Sequence, residues 1–234
     1  MNIKPLQFKP PPELRDRVHE ALQKSCSRAG KIILKSFGEN KKIKSKGDNN
    51  WVTETDLKAE NSIIRCIKEY FPGSSFLAEE SGRSTGPTDL LWIIDPIDGT
   101  RSYIAGHKDF GTLIALLHNQ EPILGIVDCP AHKERWLGIC NENTTLNGEK
   151  IKTSNKQNIN ESYAFTSGLY FEDMKFRDGF DKITKKTKYF RFGGDCYMYG
   201  MLASGFIDIV VAVSYTHLTL PTNRRCRSRW SPYH

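Results

Sequence analysis

The segment Trp92-Ile93-Ile94-Asp95-Pro96-Ile97-Asp98-Gly99-Thr100 constrains the fold more than any other stretch of the chain. An apolar run of strand character ends in a carboxylate. Proline then fixes the backbone, and Gly99 permits a tight approach ahead of a helical turn. This order of residues lets Asp95 and Asp98 converge on one point at a strand end. Two carboxylates so placed suit a hard cation, which prefers oxygen ligands. The amides of Gly99 and Thr100, if they open a helix, point at an anion such as phosphate. Asp-Pro and Asp-Gly are also common turn dipeptides, so spacing alone leaves an ordinary turn open.

Two further apolar runs end in acids: Phe76-Leu77-Ala78-Glu79-Glu80-Ser81 and Val52-Thr53-Glu54-Thr55-Asp56. Taken singly, the first reads as a solvated strand end and the second as a strand leading into a helix capped by Asp56. Three strand ends finishing in carboxylates form a less ordinary pattern, because ligand sites of layered α/β proteins gather at such ends.

Elsewhere the periodicities mix. Leu14, Val18, Leu22, Ala29, Ile33 and Phe37 recur at helical spacing before Gly38, and Leu57, Ile63, Ile64 and Ile67 do so before Pro72-Gly73. Phe171 to Lys182 and Cys196 to Ala203 also read as helices. Strand-like runs occupy Ser75 to Ala78, Leu90 to Ile94, Thr112 to Leu117, Ile123 to Asp128, Arg135 to Ile139, Glu161 to Thr166, Tyr189 to Phe192 and Ile207 to Val211. Asn147-Gly148 is a hairpin turn signal. The expected class is α/β in the α+β sense, with alternating layers of helix and sheet rather than one parallel sheet.

Composition narrows the function. Hydrophobic residues at 38% and charged residues at 26% suit a soluble globular protein. No apolar run approaches the roughly 20 residues of a membrane helix. The three prolines Pro10 to Pro12 and the lack of an apolar stretch between Met1 and Arg17 argue against a secretory signal. Glu13 and Asp16 argue mildly against a transit peptide, so a cytoplasmic protein is expected, with organellar import left open. The six scattered cysteines, none in a Cys-x-x-Cys pair, read as reduced thiols and not as a disulfide framework or a zinc site. Four arginines between 215 and 234, where no acid occurs, carry more than half of the net charge of +7. With Lys41, Lys42, Lys44 and Lys46 they make two basic patches without interleaved aromatics, a poor nucleic-acid footprint. His107, His118 and His132 lack ligand spacing. Trp51, Trp92 and Trp136 read as core. Gly193-Gly194 serves either a tight turn or a substrate-facing backbone.

The order Thr55-Asp56, Glu79-Glu80-Ser81, Asp95-Pro96-Ile97-Asp98-Gly99-Thr100 resembles the inositol monophosphatase superfamily over about residues 18 to 211. Asp98 to Gly106, Phe110 to Leu117, Glu134-Arg135-Trp136 and Gly193-Gly194-Asp195-Cys196-Tyr197 are similar to its histidinol-phosphatase branch. The resemblance implies hydrolysis of a small phosphomonoester with two or three Mg²⁺ ions. Histidinol phosphate is the first candidate substrate. Inositol 1-phosphate or a nucleotide 3′-phosphate is the alternative, and a homodimer is allowed. It further implies that Glu79, Asp95 and the Ile97 carbonyl hold one metal. Asp95 then bridges to a second, which Asp98 also binds. Gly99 and Thr100 hold phosphate through their N–H groups, Thr100 and Asp56 orient the attacking water, and Asp195 meets a cationic amine of the substrate. Neither nucleic acid nor membrane is an expected partner.

The chain departs from the superfamily after Ile207-Asp208-Ile209-Val210-Val211. An acid and an aromatic-Asp pair are expected there, that Asp being a metal ligand. Ala212, Val213 and Ser214 follow instead, and residues 214 to 234 contain no acid. The expectation is a phosphatase domain over 1–213 lacking its last part, a non-native basic tail over 214–234, and a catalytically impaired fragment as one outcome.

Overall fold

The computed structural model describes residues 11–39, 43–47, 50–168 and 174–212. The first apolar stripe forms helix α1 (Pro12–Ser36), with Val18, Leu22, Ala29 and Ile33 on its buried face. Pro12 sits in the first turn, where its missing N–H costs no helical hydrogen bond. A ribbon of β1 (Ile43–Gly47) and β2 (Asn50–Thr53) leads into α2 (Glu54–Tyr70).

Helix α2 starts two residues before the expected cap. Thr53 is the N-cap, and its side chain accepts from Thr55 N at 3.2 Å. Asp56 is the third helical residue, and its Oδ2 accepts from Thr53 N at 2.9 Å and from the Thr53 hydroxyl. A threonine followed three residues later by an acid closes this reciprocal box, which satisfies two otherwise orphaned donors. The buried face is therefore Asp56, Ala59, Glu60, Ile63 and Ile67, while Leu57, expected on the apolar stripe, is 42% exposed.

Next come β3 (Ser75–Ala78), β4 (Gly82–Ser84), β5 (Leu90–Asp98), the short helix α3 (Thr100–Ala105), β6 (Gly111–His118), β7 (Glu121–Cys129), β8 (Glu134–Ile139), β9 (Thr145–Leu146) and β10 (Glu149–Lys150). The eight strands make one sheet in the order β10-β9-β8-β7-β6-β5-β3-β4, in which only β3 and β5 are parallel. Asn147 and Gly148 join β9 to β10 with φ of 50° and 88°, the positive pair that a two-residue hairpin of matching twist needs. Both sheet faces are covered, so the central strands are apolar throughout and do not alternate with polar residues. Ile114, Leu116, Leu124 and Ile126 pack with α1 and α2, and Leu113, Val127 and Trp136 pack the other way.

The remaining elements are β11 (Tyr163–Thr166), α4 (Met174–Lys186), β12 (Tyr189–Phe192), α5 (Tyr197–Ala203) and β13 (Ile209–Val210). β12, β11 and β13 form a parallel three-stranded sheet. Met198 of α5 packs on Phe165 of that sheet, while Cys196 and Ala203 pack on Trp136 of the large one. Phe180 of α4 meets Phe190 at 5.1 Å. The result is the alternation of helix and sheet layers that the mixed periodicities imply.

Trp92 and Trp136 are fully buried, and the described cysteines, Cys26, Cys66, Cys129, Cys140 and Cys196, are free and buried. No described helix is long and apolar enough to cross a membrane. Lys41, Lys42, residues 171–173, the tail 214–234 and Cys226 lie outside the described residues, as does the side chain of Trp51.

Candidate active site

The parallel pairing of β3 with β5 brings two acidic strand ends side by side. Ala78 registers with Ile94, and Glu79 N donates to Ile94 O at 3.0 Å. β5 does not stop at Ile94, as the sequence suggests, but runs on to Asp98 through an irregularity. Asp95 pairs with Leu113 and Asp98 with Gly111, so Pro96 and Ile97 share the one place opposite Thr112. Proline has no N–H to offer the ladder, and a bulge is where a strand tolerates it. The Thr112 hydroxyl donates to Pro96 O at 2.8 Å and so satisfies the proline carbonyl at the bulge. The bulge re-aims the strand so that Asp95 and Asp98 face each other's charge.

Asp95 is 8% exposed, and its carboxyl is in hydrogen-bonding contact with Glu79. Burial first, then Asp98 and Glu79, push the Asp95 carboxyl well above the usual carboxylate range. Asp98 is pushed up to about 7, by burial and then by Asp195, against hydrogen bonds from the Cys196 thiol and N–H. Asp56 is raised by burial, with Thr53 opposing and Glu79 adding to the rise. The charged neighbours that dominate Asp95 are thus Asp98, Glu79 and Asp56, all acids. Oδ1 of Asp95 and Oδ1 of Asp56 are buried with no hydrogen-bond partner.

Helix α3 opens directly after Asp98. Gly99 is its N-cap with φ of 79°, a left-handed conformation that glycine adopts without a steric penalty. A Cβ on Gly99 would stand 2.9 Å from Asp195 Cβ. The Thr100 hydroxyl donates to Ile97 O at 3.0 Å, so the carbonyl expected to hold a metal and the hydroxyl expected to orient water touch each other. The Ile97 side chain itself is core. Asp195 accepts a hydrogen bond from the Ser102 hydroxyl, and its carboxyl is raised by burial and by Asp109, with His107 and Arg101 acting oppositely. The structure therefore draws Asp56, Glu79, Asp95, Asp98, Gly99, Thr100 and Asp195 into one neighbourhood.

Among the described residues, no three His, Cys, Asp or Glu side chains cage an ion by themselves. The donor set nevertheless fits a hard divalent cation. It consists of oxygens, one carboxylate oxygen is buried and orphaned, and the surrounding charge is negative.

Sequence reading missed two supports. Glu60, 2% exposed, accepts from Glu80 N at 2.7 Å and Ser81 N at 2.8 Å, and so holds the loop that carries Glu79. Its signal is an acid one turn after Asp56 on the buried face of α2. Cys196 is the other, a donor to Asp98 with no sequence signal beyond its place after Asp195. His132, which lacks ligand spacing in the sequence, pairs with Asp109 at 2.9 Å and stacks on Tyr197.

A sequence model of the inositol monophosphatase family matches residues 14–218. The chain belongs to the inositol monophosphatase family. Among its relatives, a chloroplastic bifunctional phosphatase of Arabidopsis thaliana is 38% identical over 185 residues, 78% of this chain and 54% of that protein. A histidinol-phosphatase of Chlorobaculum parvum is 33% identical over 188 residues, 80% of this chain and 73% of that one. The solved inositol monophosphatase of Zymomonas mobilis superposes with a TM-score of 0.73 at 33% identity, covering 86% of this chain and 78% of that one. The chain thus spans only about half the length of the Arabidopsis relative.

Proposed function

We propose that the protein hydrolyses a small phosphomonoester with Mg²⁺, and that the ester is histidinol phosphate. The observation that carries the reading is the carboxylate cluster of buried Asp95, half-buried Asp98 and exposed Glu79 beside the opening of α3, with Asp95 Oδ1 left without a partner. When bound, Mg²⁺ makes water a nucleophile at neutral pH and neutralises charge on the attacking and leaving oxygens.

Glu79, Asp95 and the Ile97 carbonyl would hold a first ion, and Asp95 and Asp98 would hold a second. The N–H groups of Gly99 and Thr100 bind the phosphoryl oxygens. Asp56, fixed at Oδ2 by Thr53, offers its other oxygen to orient the attacking water, and Thr100 helps. No covalent nucleophile is assigned, because in-line attack by water needs none.

Asp195 supports the choice of substrate. Its carboxylate stands against Gly99, next to where the phosphate binds, with Asp109 close enough to raise its pKa. Two acids at that distance favour a cationic amine over an uncharged polyol. The second reading, inositol 1-phosphate, is favoured by the Zymomonas relative, as similar in identity as the Chlorobaculum one.

The test is phosphate release from histidinol phosphate, inositol 1-phosphate and a nucleoside 3′-phosphate, each with Mg²⁺ and with EDTA. Mg²⁺-dependent release fastest on histidinol phosphate is expected, with the preference reduced in Asp195→Asn. Absence of Mg²⁺-dependent release on all three refutes the reading. An unchanged preference in Asp195→Asn refutes the role of that residue alone.

A further inference from the structure

A second concave site lies between α1 and the strands β7 to β9, and shares no residue with the carboxylate site. It encloses about 580 Å³, within the range of small-molecule pockets. Its titratable walls are His19, Lys31, Asp128, Lys133 and Arg135, together with the Cys26 thiol. α1 runs close over its floor: a Cβ on Gly30 would stand 3.3 Å from Pro130 and 3.8 Å from Asp128 Oδ2.

The single acid is already matched. Arg135 Nε donates to Asp128 Oδ1 at 2.7 Å, and Arg135 Nη1 donates to Gln23 Oε1. Gln23 in turn lies 3.3 Å from His19 Nε2. The guanidinium is therefore fixed, and Asp128 cancels no other charge. Lys31 and Lys133 have no carboxylate partner among the described residues, and both are exposed. Lys133 is held at the rim by its backbone. Its φ is 59°, its carbonyl accepts from Asn147 Nδ2 at 3.0 Å, and Asn147 Oδ1 accepts from Arg135 N at 3.0 Å. A left-handed lysine is rare, and here the β9–β10 turn holds it. The pocket thus combines two uncompensated ammonium groups with a positioned guanidinium, set in a cavity and not on a flat face. Charge-assisted donors so arranged select a compact multivalent anion.

We infer that this pocket binds a small phosphate-class anion, with Lys31 and Lys133 as its principal contacts. The inference does not depend on the proposed catalytic reaction. Inorganic phosphate and a small phosphomonoester share the chemistry that the pocket recognises.

The experiment titrates the full chain with inorganic phosphate in EDTA by calorimetry, and then with glycerol 2-phosphate. It is repeated on Lys31→Glu/Lys133→Glu, on Lys58→Glu as a surface control, and on Asp95→Asn. Saturable binding is expected that weakens at least about tenfold in the double variant, falls with added salt, and stays unchanged in Lys58→Glu and Asp95→Asn. Both lysines are exposed, so the double variant is expected to keep the melting temperature of the parent. Tighter binding of the ester assigns an organic phosphate, and tighter binding of the free ion assigns phosphate itself. Binding that survives in the double variant, or fails to saturate, overturns the inference. Failure of the proposed activity appears separately, as lack of Mg²⁺-dependent release with phosphate binding intact.

Discussion

Asp128 and Asp95 are both buried carboxylates on the same sheet, and they differ in what stands beside them. Asp128 is 4% exposed and shares a 2.7 Å ion pair with Arg135. Asp95 is 8% exposed, faces Asp98, Glu79 and Asp56, and keeps an orphaned oxygen. Burying a charge is tolerated when a partner is at hand and is costly otherwise. The first arrangement serves the fold. The second costs the fold stability, and on the proposed function an added divalent cation would complete it. Strain gathered in this way is a mark of functional sites.

Neutralising Asp95 and removing the partner of Asp128 should therefore act in opposite directions. Asp95→Asn is expected to lower Mg²⁺-dependent phosphate release about 10³-fold, some 4 kcal/mol of transition-state stabilisation. It should also raise the melting temperature of the metal-free protein, because a neutral amide replaces a repelled charge. Activity within a few fold of the parent would remove Asp95 from the site. Arg135→Met is expected to destabilise by about 3 kcal/mol, since it strands Asp128 in the core without its cation. A urea midpoint unchanged by that variant would show that the pair contributes nothing, and the contrast between the two acids would fail.

The same contrast has a pH signature. Asp98 is pushed up to about 7, and Asp95, Asp56 and Asp195 are also raised. An acid whose folded pKa lies above its unfolded value contributes stability that is complete below the unfolded value, near 4, and is lost as pH rises through the folded one. The metal-free protein should thus lose about 2 kcal/mol between pH 5.5 and 7.5 from Asp98 alone. Saturating Mg²⁺ should flatten that slope, because the bound cation favours the ionised carboxylates. Equal slopes with and without Mg²⁺, measured by denaturant melts at several pH values, would separate these acids from metal binding.

Much of this was legible in the sequence, for identifiable reasons. The strand ending at Asp95 could be read because apolar residues run up to a carboxylate and a proline. Its continuation to Asp98 could not, because it depends on Thr112 of the neighbouring strand donating to Pro96 O. The acidic end of β3 was visible, but the support from Glu60 was not, since a single acid on a helix gives no hint that it faces two backbone amides. Asp56 was recognised as a helix-starting residue and misplaced by three positions. The reciprocal box with Thr53, which is at once the last residue of β2 and the N-cap of α2, resolves the position. Local signals located the carboxylates, and only tertiary contacts assigned their partners.

Asp56 belongs to both sides of the comparison and allows its smallest test. One oxygen is held as structural acids are held, by Thr53 N and the Thr53 hydroxyl, while the other is as orphaned as that of Asp95. Thr53→Ala removes the hydroxyl from the first oxygen and the cap from α2, a loss of about 1 kcal/mol. Thr53→Ser keeps both and should restore the stability. If Asp56 serves only the helix, Thr53→Ala changes the urea midpoint and nothing more. If its second oxygen also orients a water at the site, loosening the first lets the carboxylate turn, and turnover falls severalfold while the apparent affinity for Mg²⁺ holds. A midpoint that drops with turnover per folded molecule unchanged would place Asp56 with Asp128, among the acids that the fold alone requires.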